Sequence, residues 1–248
     1  MASHSKLPEA ALTWLIGAEP VRVVALACPR SIIHELVAKG HGVAAVEEEW
    51  IRAHKLAALY PHSEQVVAMV GEPQNLPLTP CSAHVVLVGQ GCDTSPTQIQ
   101  SQISRSLQPG GWAAGWQIVR DDSVPWVQRL IEVMRSVDAD AMQSTDLETG
   151  SLVDSKYFPR VETRDFRLWL PITRAQVRAM VESAPAVAAL PDVERTKVMA
   201  RADAVFDGVG RTSEMQLPYQ LHCWRAHVDH EELTVPITLG DGALHIII

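Results

Sequence analysis

VRVVALACPRSIIHELVAKGHGVAAVE, residues 21–47, is the stretch on which the reading of the fold turns. Val21-Arg22-Val23-Val24-Ala25-Leu26 opens it as a short run rich in β-branched residues, the pattern of a buried strand. Ile32, Ile33, Leu36 and Val37 then recur at helical spacing, with Ser31 in the place of an N-cap. Lys39-Gly40-His41-Gly42 ends that helix, because glycine accepts the left-handed backbone of a C-terminal cap. Val43 to Val46 reads as a second strand, with Glu47 at its tip. Strand, helix and strand make one βαβ unit, which brings its two strands side by side in parallel through a right-handed crossover.

Working outward, the alternation continues. A helix is expected from Trp50 to Tyr60, a strand from Val66 to Val70 and a Pro-rich loop from Glu72 to Pro80. His84 to Val88 reads as a strand ending at Gly89-Gln90-Gly91, followed by a helix from Pro96 to Leu107, a turn at Pro109-Gly110-Gly111 and a strand from Trp112 to Val119. Pro125 opens a helix in which Val127, Leu130, Ile131 and Met134 share a face. Asp138 to Phe158 is polar and weakly periodic and reads as an irregular insertion. Beyond it, Thr173-x-x-Gln176 is a capping box, Asp192 is placed to cap a helix with Val198, Met199 and Val205 inward, and Leu217 to His227 reads as a late strand. Leu233 to Leu239, Gly240-Asp241-Gly242 and Ala243 to Ile248 form a hairpin pattern.

The expected fold is therefore α/β, a doubly wound Rossmann-like and mostly parallel sheet with helices on both faces, plus a C-terminal β-hairpin. Residues 1–230 are expected to form one α/β domain, with residues 138–215 an irregular and helical insertion within it and residues 231–248 a hairpin tail. An apolar terminal strand is a sticky edge unless covered, so the Leu233–Ile248 hairpin is the expected surface for a homo-oligomer or a protein partner, with cover by its own domain as the alternative.

Composition narrows the function classes. A net charge of -8 argues against a general affinity for nucleic acid or anionic membranes. No apolar run approaches a membrane span, and Met1 to Lys6 has no apolar segment behind it, so a cytoplasmic protein without a signal peptide is expected. Cys28, Cys81, Cys92 and Cys223 have no zinc spacing, and His222 and His227 fall on opposite faces of their strand, so no metal is expected. No Gly-x-Ser-x-Gly or P-loop pattern appears. Arg160, Arg164, Arg167 and Arg174 read either as a basic rim around a crevice or as ordinary surface ion-pairing residues.

Several stretches, in order over roughly residues 8 to 228, resemble the class I S-adenosylmethionine (SAM) methyltransferases, in particular a bacterial group known as methyltransferase type 11. They are Trp14 to Pro20, Gly40-His41-x-Val43-x-x-Val46-Glu47, Gly71-x-x-x-x-Leu76-Pro77-Leu78, Leu87-Val88-Gly89-Gln90 and Leu107 to Gly111. Arg120 to Val127, Phe166-x-x-Trp169-x-Pro171-x-Thr173-Arg174 and Pro218-Tyr219-x-x-x-Cys223-x-Arg225-Ala226 continue the match. The resemblance implies SAM as cofactor, with Glu47 at the ribose, Glu72 on the adenine side, Gln90 at the tip of the fourth strand and Ala27 in the cofactor loop.

That loop departs from the family pattern. The family's acidic residue is Ala25, its first two loop glycines are Ala27 and Pro29, and its last falls near Ser31. Ala25 has no charge for an ammonium group, and Pro29 removes an N–H donor. A non-glycine residue at positive φ costs about 1 kcal/mol, and a lost ionic contact about 1.5–3 kcal/mol. Together they predict SAM affinity lowered by about a hundredfold or more. The leading expectation is a catalytically impaired methyltransferase-like protein acting through a partner or ligand. The alternatives are an active SAM-dependent methyltransferase on a small molecule or lipid precursor, and a binder of another nucleotide or metabolite. A crevice filled by Ala27, Pro29 and Arg30 favours the first; an open cleft beside Glu47 favours the others.

Overall fold

A computed structural model of the chain describes residues 7–141, 152, 155–209, 214–230, 237–238 and 245–246. In chain order the elements are α1 (Glu9–Ile16), β1 (Arg22–Leu26), α2 (Arg30–Ala38), β2 (Gly42–Glu47), α3 (Trp50–Ala57), β3 (Val66–Val70), β4 (Ala83–Val88) and α4 (Thr97–Ser106). There follow β5 (Leu107–Arg120), α5 (Pro125–Arg135), β6 (Arg160–Thr173), α6 (Arg174–Glu182), α7 (Pro185–Ala188), α8 (Asp192–Asp207), β7 (Glu214–His227), β8 (Ile237–Thr238) and β9 (His245–Ile246).

The first seven strands form one sheet in the order β3-β2-β1-β4-β5-β7-β6. β1 pairs in parallel with β2 on one side and β4 on the other, β2 with β3, and β4 with β5. The chain thus winds outward from β1 in one direction, then returns to its other side at β4. Between β1 and β4, beyond their carboxyl ends, lies the topological switch point at which doubly wound sheets bind ligands.

The β1, β2 and β4 sequences are apolar at nearly every position because both faces of the sheet are covered. Val24, Leu26, Val46, Val86 and Val88 join Ile99 and Ile103 of α4 in one core, together with Phe158 and Trp224. Val23, Ala25, Val43, Ala45, Val85 and Leu87 are equally buried, and α2 packs on β2 and α1 on β4.

By the density of its internal contacts the chain divides into two compact units, residues 1–117 with 148–166 and 222–248, and residues 118–147 with 167–221. The second has its own core. Trp126, Leu130, Ile131 and Met134 of α5 pack with Val177 and Val181 of α6 and with Val198, Met199 and Phe206 of α8. Arg174 and Arg178 of α6 form ion pairs with Asp207 and Asp203 of α8.

The capping box at the start of α6 is formed in full. Thr173 Oγ1 accepts from the Gln176 amide at 3.3 Å, and Gln176 Oε1 accepts from the Thr173 amide at 2.8 Å. Thr173→Ala leaves the Gln176 amide to water and is expected to cost about 1 kcal/mol, read as a lowered urea midpoint with unchanged slope. No change in midpoint would mean that the box contributes nothing beyond hydration.

Other expectations need correction. Ser31 lies inside α2, whose N-cap is Pro29, and Asp192 is the first residue of α8 behind Pro191. Both prolines supply the extended entry that the side-chain caps were expected to mark. The turn at Pro109-Gly110-Gly111 falls within β5, where the register against β4 jumps from Ala83↔Leu107 to Val85↔Trp112. α1 and β6 were not foreseen. β8 and β9 pair antiparallel within the Leu233–Ile248 hairpin pattern; the rest of that stretch, and most of the expected insertion from Asp138 to Phe158, lie outside the described residues. Among the described residues no helix is long and apolar enough to cross a membrane.

Candidate functional site

β1 and β4 end in apposed turns. The Gly89 amide donates to the Leu26 carbonyl at 2.8 Å, tying the two tips together. Directly after Leu26 the backbone of Ala27 enters the left-handed region, with φ 49°. Pro29 returns it to φ -58° and opens α2, accepting the amides of Ile32 and Ile33. The loop therefore performs a sharp strand-to-helix turn without glycine, at a cost of about 1 kcal/mol at Ala27.

This turn borders a crevice of about 710 Å³. Ala27, Pro29 and Arg30 line it rather than fill it, and the tip of β2 brings Glu47 to its wall. Gln90 and Gly91 close the β4 side, Gly71, Pro73 and Gln74 the side beyond β3. Of the residues singled out in the sequence, Ala27, Glu47 and Gln90 are thus brought together. Glu72 is exposed, between the lining residues Gly71 and Pro73, with its backbone bridged to Asn75. Ala25 is buried within β1 between Ala45 and Leu87, so the position that carries an acid in the family carries no charge toward the crevice here.

Sequence reasoning placed Arg30 at the crevice and missed the other flanking groups. Arg30 and Arg52, Glu48 and Glu49, Cys28, Cys92 and Asp93 all line the crevice. Cys28, Glu48, Glu49, Cys92 and Asp93 sit in the loops after the strand tips and Arg52 in the first turn of α3, so distance from a tip is the one signal that could have found them.

Glu47 is only 8% exposed. Burial raises the pKa of its carboxyl above the ordinary value, with the guanidinium groups of Arg52 and Arg30 drawing it back in part. Arg52 Nη1 lies 3.9 Å from its Oε2. Cys28 donates its thiol to the Leu87 carbonyl at 3.4 Å, and burial pushes that thiol far up, with Glu47 adding to the effect. It is a structural thiol, not a nucleophile. Asp93 accepts from the amide and hydroxyl of Ser95 at 2.8 and 2.6 Å, hydrogen bonds that lower its pKa.

None of the four arginines weighed as a rim lines this crevice; Arg160 pairs with Glu162, Arg164 lies over the Phe166 ring and Arg174 pairs with Asp207. His222 meets Asp165 at 2.6 Å and His227 lies 3.7 Å from Glu162.

No family model matches the chain. It is 27% identical over 224 residues, 88% of each sequence, to an uncharacterized methyltransferase of Mycobacterium tuberculosis, and equally to one of Mycobacterium bovis. A methyltransferase-like protein of Schizosaccharomyces pombe is 24% identical over 154 residues, 60% of each sequence. Among solved structures, a candidate type II methyltransferase from Anaeromyxobacter dehalogenans superposes with a TM-score of 0.60 at 18% identity, covering 90% of this chain and 97% of that one. A candidate methyltransferase from Bacillus halodurans gives 0.51 at 12% identity, over 88% and 97%. The solved structures identify the fold as the Rossmann-like methyltransferase fold.

Proposed function

We propose that this chain, a class I SAM methyltransferase-like protein, binds a nucleoside ligand in the crevice at the ends of β1, β2 and β4 and is impaired in methyl transfer. The observation that carries the ligand half of the reading is the open crevice of about 710 Å³ beside the largely buried Glu47, which speaks for a bound ligand rather than a closed scaffold; the impairment rests on the loop residues alone. A carboxylate at the tip of the second strand accepts two hydrogen bonds from a ribose diol. What a methyl donor needs beyond that is weakened. Ala25 carries no acid to hold the ammonium of the methionine moiety, and Pro29 offers no amide.

The test compares adenosine, S-adenosylhomocysteine and SAM by calorimetry. Each charge-assisted contact to the amino-acid moiety is worth about 1.5–3 kcal/mol, or roughly ten- to a hundredfold in affinity. With its acid gone, S-adenosylhomocysteine is expected to bind within about threefold of adenosine. SAM or its product binding about a hundredfold more tightly than adenosine would overturn the impaired reading and restore ordinary cofactor use. No heat with any of the three, and no rise in melting temperature at millimolar ligand, would overturn the nucleoside reading itself.

An active methyltransferase is the second reading, and the backbone of Ala27 favours it. Its left-handed φ keeps the turn that a glycine loop makes. Methyl transfer from labelled SAM to a panel of small-molecule acceptors would decide for that reading.

A further inference from the structure

We propose that the ligand of this crevice is a 5′-phosphorylated nucleoside, its phosphate received by Arg30 and its ribose by Glu47. The inference rests on the nucleoside reading above and names the class of ligand.

Six charged side chains line the crevice: Arg30, Arg52, Glu47, Glu48, Glu49 and Asp93. Most are engaged. Arg52 lies between Glu47 at 3.9 Å and Glu49 at 4.0 Å. Asp93 is held by Ser95. Glu48 lies toward Cys92, whose thiol it helps to hold in the protonated form. Arg30 is different. It is exposed on the crevice wall and makes no hydrogen bond or ion pair among the described residues. It is close enough to Glu47 to draw down the pKa of that carboxyl.

Glu47 is an independent mark of a ligand. Its side chain is 9% exposed and lines the crevice, and its carboxylate is held among the described residues by a long ion pair to Arg52 at 3.9 Å with no hydrogen bond. A largely buried carboxylate held by one long ion pair keeps acceptor capacity on the crevice side, which donors brought by a ligand can fill. Pro29 adds to the other end. It caps α2 without a side-chain acceptor, and its carbonyl takes the amides of Ile32 and Ile33, so the amides of Arg30 and Ser31 have no protein acceptor among the described residues. Free donors thus stand at one place, and an acceptor with capacity beyond its ion pair close by. A ribose 5′-phosphate answers both, since its diol donates and its phosphate accepts; the tail of SAM can offer its carboxylate to the same donors but also brings an ammonium for which Ala25 supplies no acid.

The experiment is calorimetry on the full chain at low salt with adenosine and adenosine 5′-monophosphate, for the native sequence and for Arg30→Gln. The monophosphate is expected to bind about tenfold more tightly than adenosine, with the advantage shrinking in about 0.5 M salt. In Arg30→Gln the ratio is expected to fall to about one. Equal affinity for the two ligands in the native chain, or an advantage that survives Arg30→Gln, overturns the phosphate assignment while adenosine binding still stands. Silence from both ligands overturns the nucleoside reading with it. A far-ultraviolet spectrum and melting temperature of Arg30→Gln that match the native chain exclude misfolding as the cause of a lost ratio.

Discussion

Gly89→Ala is expected to destabilise the chain by about 3 kcal/mol or more, a large fraction of the roughly 5–15 kcal/mol that holds an ordinary domain folded. A Cβ at this position would stand 2.2 Å from the carbonyl oxygen of Ala27, 2.7 Å from its carbonyl carbon and 3.1 Å from the Cα of Cys28. All three are backbone atoms, so no rotamer change relieves the overlap. Retreat of the loop is also blocked, because the Gly89 amide is bonded to the Leu26 carbonyl at 2.8 Å. The requirement is close approach between the β1 and β4 tips, and movement there deforms the crevice, since Leu26, Ala27 and Cys28 line it. Gly91→Ala is the control. Gly91 has φ 95° and nothing within 4 Å of its added Cβ, so only the conformational cost of about 1 kcal/mol applies. Urea denaturation of the two variants checks the difference; a loss below about 1 kcal/mol for Gly89→Ala would mean that the loop yields and the apposition is not rigid.

The apposition also explains what could be read without coordinates. Val23 to Leu26 and Val85 to Val88 are unbroken apolar runs because both sheet faces cover them, and such runs announce parallel central strands. Once β1, β2 and β4 are placed, their tips follow, and with them Ala27, Glu47 and Gln90. β6 gave no such signal. Arg160 to Thr173 is the last strand of the sheet order, and only Leu168 and Ile172 along it are buried, so selection for a core left little pattern in its sequence. Arg52 gave no signal for another reason: a charged residue on an exposed helix turn reads the same whether it faces a crevice or bulk water. Ala27 was read as an obstacle and is a lining residue, because one left-handed alanine costs about 1 kcal/mol, an amount that a loop pinned by Leu26 and Gly89 tolerates.

Glu47→Gln is expected to move stability and binding in opposite directions. Loss of the charge that accepts the ribose hydroxyls weakens nucleoside binding by about ten- to a hundredfold. The same change removes a largely buried charge whose burial outweighs its pairing with Arg52, so the folded chain gains stability at neutral pH. The sign follows from the direction of the shift. Burial raises the pKa of Glu47 in the folded state above its unfolded value, with Arg52 and Arg30 opposing in part. Below the unfolded carboxyl's pKa of about 4.3 the group is neutral in both states and imposes no penalty. As pH rises through the folded pKa, the folded chain must ionise a buried group, and the stability it held in acid is lost. The glutamine variant does not titrate, so its advantage in melting temperature is expected to appear above about pH 4.3, to grow with pH and to level off once Glu47 is fully ionised. Melting temperatures of both chains across that range, with adenosine calorimetry at neutral pH, measure the two effects separately. A glutamine variant that is less stable at neutral pH and binds adenosine as well as the native chain would identify Glu47 as a structural partner of Arg52. The expected opposition identifies it as a group kept for its ligand against the interest of the fold.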